Sequence, residues 1–412
     1  MTVLYHYKVV DYFYWIRVGI VKESSFGFSL GNYLISVALF LINMFFLLKL
    51  NGKKLVFMVL SIFFLLLTVP SLVSFSSGDI YPTKLLLYHQ LLFFGIYLLS
   101  KLRISFDKVP TFNKRQGLYL LFMLITIGVI PYLLIYGPHI NLKNLILQDV
   151  YYTRFRMAGL SNPYFGYTYS VFTKILIPLM IVFALELRNR LMLIIGILYL
   201  VLFYLFGAHK TVYVGLIVVL IFYRFSYTGA IKNIIRLFNA LLVLSLGLAI
   251  VVNYDYLWIL TFRRVHFLPA LLDICYLDFF QEKPIYWSES VLGSFIEYPY
   301  NVPHANLIGE HYFNRPKMSA NNGLVSDGYM NFGSWGVFIH IFMVAAYFMI
   351  LNNLKIPAKY FGLFLLVIFS FISSSTFTVF LTHGAIALLF VSIFLLKEKK
   401  NPNVGSKEAE TK

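Results

Sequence analysis

The sequence predicts an all-α, polytopic integral membrane protein of about eleven spans, within a range of ten to twelve. Three observations predict it. The chain of 412 residues is 60% hydrophobic and 12% charged, its apolar residues fall in continuous runs of membrane length, and one long polar stretch, 259–332, interrupts them. Continuous runs exclude a transmembrane barrel, whose strands alternate over about ten residues. Helices remain, because only they satisfy every backbone group inside lipid.

Residues 1–27 are aromatic yet carry Lys8, Asp11 and Arg17. They read as an interfacial amphipathic segment, with a twelfth span over 1–21 as the alternative, and they lack the apolar core of a cleavable signal. Residues 28–258 form a bundle of eight spans, at 28–48, 55–75, 85–99, 118–136, 167–187, 191–207, 211–225 and 237–258. The large loop 259–332 follows. A second bundle, 333–396, holds three spans at 333–351, 360–373 and 376–396. The last two are divided at Ser373, Ser374 and Ser375, because lysines flank 360–396 at both ends and belong on one side of the membrane. Residues 397–412 are a polar cytoplasmic tail expected to be disordered. The lone Cys275 rules out a disulfide within the chain and a thiolate metal cluster.

A net charge of +17 invites a nucleic-acid partner, but the positions of the charges argue against one. With the N-terminus outside, 20 of the 34 Lys and Arg fall on inner segments and 12 of the 17 acids on outer ones. That asymmetry is the positive-inside signature of membrane orientation. It places 259–332 and the second long loop, 137–166, outside.

The large loop begins with Arg263, Arg264 and His266, passes an apolar stretch over 267–280 interleaved with Asp273 and Asp278, and collects Tyr286, Trp287, Tyr298 and Tyr300. The apolar stretch suits a helix lying against the membrane surface. Aromatic rings beside His304, Glu310, His311, Arg315 and Asp327 suit a sugar, whose faces stack on rings while its hydroxyls need polar partners. An interfacial aromatic belt is the plainer alternative for any one ring. Loop 137–166 carries Arg154 and Arg156. Arginines outside run against the charge bias, and a pyrophosphate, bound bidentately by guanidinium, would hold them there; snorkelling to headgroups is the alternative. Lys210, in a short turn between two spans, would add positive charge. His89, Gln90, His340 and His383 lie within spans and rank below the loops, since such residues often bond across helix interfaces. No acidic pair, glycine-rich phosphate loop or nucleophile elbow stands out, so neither a metal nor a soluble cofactor is expected.

The run Asn321-Asn322-Gly323-Leu324-Val325-Ser326-Asp327-Gly328-Tyr329-Met330-Asn331-Phe332-Gly333-Ser334-Trp335-Gly336 resembles the junction after the large periplasmic loop in the O-antigen and capsular repeat-unit polymerases (Wzy-type). Residues 207–216 resemble that family's small-residue and basic turn, and the Arg154 region its arginine-bearing loop. The resemblance implies a multi-span, lipid-linked glycosyltransferase architecture (GT-C-like) in a bacterial inner membrane with its active site facing the periplasm. It implies transfer of a glycan from undecaprenyl pyrophosphate onto a second lipid-linked repeat unit, with membrane lipids and a chain-length regulator as further partners. Arg154, Arg156, Arg263 and Arg264 are then expected to stabilise the leaving pyrophosphate. The base is open among His311, Asp327, Glu310 and His304, and Lys210, Trp287 and Tyr329 are expected against substrate. The O-antigen ligases, with a different acceptor, and a repeat-unit flippase are the alternatives.

Overall fold

The structure, a computed structural model, describes residues 1–10, 13, 27–52, 54–77, 81–160, 162–209 and 211–398. Each of the eleven apolar runs carries helix. Among the described residues, seven helices are long and apolar enough to cross a membrane: Leu30–Leu48, Leu55–Phe75, Lys114–His139, Pro163–Glu186, Arg190–Gly207, Tyr227–Val251 and Leu324–Asn353. Thr83–Leu99, Ala358–Ser373, Ala385–Leu396 and Thr211–Phe222 are shorter. The protein is therefore a multi-pass α-helical membrane protein.

Polar residues at the edges of the apolar runs start the helices. Ser29, Asn113, Asn162, Asn189 and Ser226 each accept a backbone N–H from the first turn, satisfying donors that lipid would leave bare. Three boundaries differ from the sequence reading. The eighth span ends at Val251, and the chain re-enters a helix at Tyr256 that runs through Phe267. The last run is broken between Leu381 and Ala385, where Gly384 has φ of +92°, a left-handed backbone that glycine adopts freely. The helix of the ninth span begins at Leu324, inside the loop, and breaks at Phe332 and Gly333.

The chain divides into two compact units, Met1–Leu102 with Ser226–Met349 and Ile368–Thr378, and Arg103–Phe225 with Ile350–Val367 and Val379–Lys412. Leu55–Phe75 is central to the first: 78% of its most apolar window is buried, against 17% for Leu30–Leu48 and 11% for Tyr227–Val251. At one end of this unit the Ser29 N–H donates to the Ser76 carbonyl at 3.1 Å, and Lys8 pairs with Asp255 at 3.2 Å. At another place Thr228 Oγ1 donates to the Gly52 carbonyl at 3.0 Å. In the second unit Glu186 takes Lys114 at 2.5 Å and Lys359 at 3.0 Å, while Lys397 donates to the carbonyls of Phe106 and Val109. Each of these contacts joins segments that the charge count puts on one side of the membrane. A pairing across sides would have broken that assignment.

Candidate functional site

Residues 259–332 fold as a packed layer with a small core of their own. Leu272, Cys275 and Tyr276 from helix Leu268–Phe279 meet Ile285, then Ile308 and Tyr312 from helix His304–Phe313, and Met330. Helix Leu268–Phe279 is more enclosed than a helix resting on a membrane surface, since 270–276 are all buried. Its Asp273 is buried with it. That carboxylate takes His89 Nε2 at 2.9 Å on one oxygen, with Ser326 Oγ at 2.6 Å and Asn322 Nδ2 at 2.9 Å on the other. A buried carboxylate needs such donors, and His89 inside the third run supplies one.

A second tie forms around Asp327. Its Oδ2 accepts the Thr376 N–H at 2.5 Å and lies 3.2 Å from His340 Nδ1, and its Oδ1 accepts from Asn331 Nδ2 at 3.3 Å. Trp287 Nε1 donates to His340 Nε2 at 3.1 Å. The indole N–H can only donate, so this bond places the imidazole's single proton on Nδ1, facing Asp327 and Thr376. Both ring nitrogens are thereby used. The strand of chain carrying Trp287 is strained, with φ of +51° at Tyr286 and +58° at Trp287, at about 1–3 kcal/mol each. Three hydrogen bonds hold it there: Ile285 N to the Met330 carbonyl at 2.9 Å, Tyr286 N to the Asn331 carbonyl at 3.2 Å, and Trp287 N to Asn331 Oδ1 at 2.7 Å.

The third acid–histidine pair of this unit is open to solvent. His304 Nδ1 lies 2.5 Å from Glu289 Oε2, with side chains 16% and 28% exposed, and the His304 backbone N–H donates to the same oxygen at 3.2 Å. Burial pushes the Glu289 carboxyl up, but the hydrogen bonds and charge of His304 outweigh it and hold it below its ordinary value. Glu289 is therefore ionised at neutral pH and accepts the Nδ1 proton. In the neutral tautomer this leaves the His304 Nε2 lone pair as the acceptor, the arrangement a general base requires.

The other expected residues are distributed as follows. Asp327 is buried with both oxygens engaged, and Trp287 has its indole N–H committed to His340. Tyr329 is 6% exposed, with Lys84 Nζ 4.9 Å over its ring. Glu310 and His311 are exposed on the helix that His304 begins. Arg264 is exposed and Arg263 half-buried in the π-helical turns Ile259–Phe267. Arg154 and Arg156 belong to the second unit, so the four arginines divide as two pairs. Arg156 is exposed, whereas Arg154 donates through Nε and Nη2, at 3.1 and 2.9 Å, to the carbonyl of Ala208. Ala208, with φ of +48°, ends helix Arg190–Gly207, and a cation there complements the helix dipole. Burial, then the Arg154 charge, lowers the pKa of the neighbouring His209. Lys210 lies outside the described residues.

Glu289 is the residue that sequence reasoning missed. It is one acid among several in the loop, fifteen positions before His304, and only the folded layer brings the two together. Comparison of the chain with known protein families, characterised proteins and solved structures finds no match. Among the described residues no group of three or more His, Cys, Asp or Glu is placed to hold a metal.

Proposed function

We propose that the protein polymerises undecaprenyl-pyrophosphate-linked oligosaccharide repeat units into O-antigen or capsular polysaccharide at the periplasmic face of the bacterial inner membrane, through a GT-C-like architecture. The observation that carries this reading is the open Glu289–His304 pair on the folded layer 259–332, which also carries the exposed Arg264 and the half-buried Arg263. In the proposed step His304 Nε2 takes the proton of the acceptor hydroxyl. The hydroxyl oxygen then bonds the donor sugar's anomeric carbon as the bond from that carbon to the pyrophosphate oxygen breaks. The departing undecaprenyl pyrophosphate keeps the electron pair, and guanidinium charge stabilises it. Arg263 and Arg264 are the candidates for that charge within this unit.

Deleting the gene and resolving surface polysaccharide on a gel tests the reading. A polymerase null leaves lipid A core bearing one repeat unit; a null lacking even that indicates a flippase or ligase and overturns the proposal. Orientation is tested in the same cells with single cysteines at Ser290 and Ser105, both exposed, and a membrane-impermeant maleimide. The native Cys275 is buried, and burial raises its thiol pKa, so it stays silent. Labelling at Ser105 without labelling at Ser290 would invert the assignment.

A further inference from the structure

The first unit contains a groove of about 550 Å³ walled by helices Leu30–Leu48 and Tyr227–Val251, with Leu55–Phe75 also contributing. Its lining is apolar: Ile231, Ile235 and Phe238 on one wall, Phe40 and Met44 on the other, and Phe64 from the third helix. Along the first wall it runs from Tyr33 to Leu48, about 22 Å at roughly 1.5 Å per helical residue. That length takes one extended alkyl chain within a hydrocarbon core about 30 Å thick. The two walling helices are also the least buried of the seven long ones, so the groove opens where lipid is the solvent.

Charge distinguishes its two ends. At one end Leu47 and Leu48 line the groove and Lys49 follows them; Phe57 lines it and Lys54 precedes it; Ile231 and Ile235 line it and Lys232 and Arg236 adjoin them. All four cations are exposed. The turn between the first two runs is pressed onto the start of helix Tyr227–Val251, where Thr228 Oγ1 donates to the Gly52 carbonyl at 3.0 Å. A Cβ at Gly52 would lie 2.5 Å from that hydroxyl oxygen, so a larger residue would displace the Thr228 hydroxyl from this bond. The approach puts the turn that carries Lys49 and Lys54 against the start of the helix in which Lys232 and Arg236 follow the groove-lining Ile231 and Ile235. The opposite end is lined by Tyr33, Ser36, Ser76, Thr2 and Met1, with no Lys or Arg among them.

We infer that the groove binds one anionic phospholipid of the adjacent leaflet, with an acyl chain in the apolar shaft and the headgroup phosphate among Lys49, Lys54, Lys232 and Arg236. An apolar slot with a cationic mouth matches an amphiphile with one anionic head. The site is independent of the glycosyl-transfer reading, because none of its residues belongs to the outer layer.

Native mass spectrometry of the detergent-purified full chain tests it. Phosphatidylglycerol and phosphatidylethanolamine with identical chains are added in equal amounts, then a long-chain polyprenyl phosphate as competitor. The wild type should retain phosphatidylglycerol at least tenfold better than phosphatidylethanolamine. Combining Lys49→Gln, Lys54→Gln, Lys232→Gln and Arg236→Gln should reduce that preference to near unity. Asn239→Trp, an exposed position on the groove wall, should fill the shaft and remove both adducts. Equal retention of the two phospholipids by the wild type would overturn the inference, as would survival of the adduct in Asn239→Trp or displacement of phosphatidylglycerol by the polyprenyl phosphate.

Discussion

Asp327 with His340 and Glu289 with His304 are both carboxylate–imidazole pairs of the first unit, yet their surroundings give them different work. In the first pair Trp287, Thr376 and Asn331 occupy the remaining polar atoms, and the imidazole is fully buried. No lone pair is left for a substrate, and through Thr376 and His340 the pair ties the layer 259–332 to the membrane helices. In the second, the carboxylate fixes one nitrogen and solvent reaches the ring. The same two functional groups make a joint in one place and a candidate base in the other, and the number of competing protein partners decides which.

Breaking the sealed pair should have the largest effect. Asp327→Ala strands a buried imidazole and a backbone N–H, and removing one partner of a buried pair typically costs about 3–5 kcal/mol. The variant should fall in abundance and lose protection of 259–332 against limited proteolysis. Normal abundance and protection would show that the joint is not where the layer is held.

Breaking the open pair should leave folding intact and cost activity. His304→Gln should reduce polymerisation of lipid-linked repeat units about a hundredfold or more, the usual contribution of a general base, at unchanged protein level. Glu289→Gln should give a smaller loss, because it removes orientation and charge while His304 remains. Wild-type polymer ladders from both variants would move the base to Glu310 or His311.

Gly333 sharpens the contrast between backbone and packing at the junction. It has φ of +58° and ψ of −139°, and a Cβ built on it meets nothing within 4 Å. Gly333→Ala should therefore cost backbone strain alone, about 1–3 kcal/mol, read as a lowered melting temperature. Gly336→Ala should cost more, since its Cβ would run into the carbonyl oxygen of Gly328.

The smallest effect concerns pH. Because the folded Glu289 carboxyl is held below its ordinary value, the pair's stabilisation is present above the unfolded carboxylate range near about 4.3. It is lost as pH falls through the lower, folded value. Protease resistance of 285–303 should accordingly stay level from pH 5 to 8 and drop only in stronger acid. A drop near pH 6 would show that Glu289 does not set it.

The helical, multi-pass class was legible because hydropathy is a local property: each apolar run, such as 55–75 or 118–136, must be helical whatever its neighbours do. The start of an apolar run at Gly333 was legible too, but the helix that precedes it from Leu324 was not. The break before Ala385 was not, since Thr382-His383-Gly384 lies inside a run that hydropathy alone joins. Arginine charge in 137–166 could be read, but its use could not, because Arg154 spends two donors on the end of a helix about fifty residues away.

The sequence by itself determined the solvent, the helices and a charge asymmetry consistent with the side-by-side contacts of the segments, all of which follow from composition within a window of about twenty residues. Tertiary structure decided which polar residues are spent and which remain. Asp273, Asp327 and Trp287 look as available in the chain as Glu289 and His304 do. Their fates separate only when Ser326, Asn322, Thr376 and His89 arrive from distant positions to satisfy some of them. Burial exacts a partner for every polar atom, and a sequence does not state who the partners are.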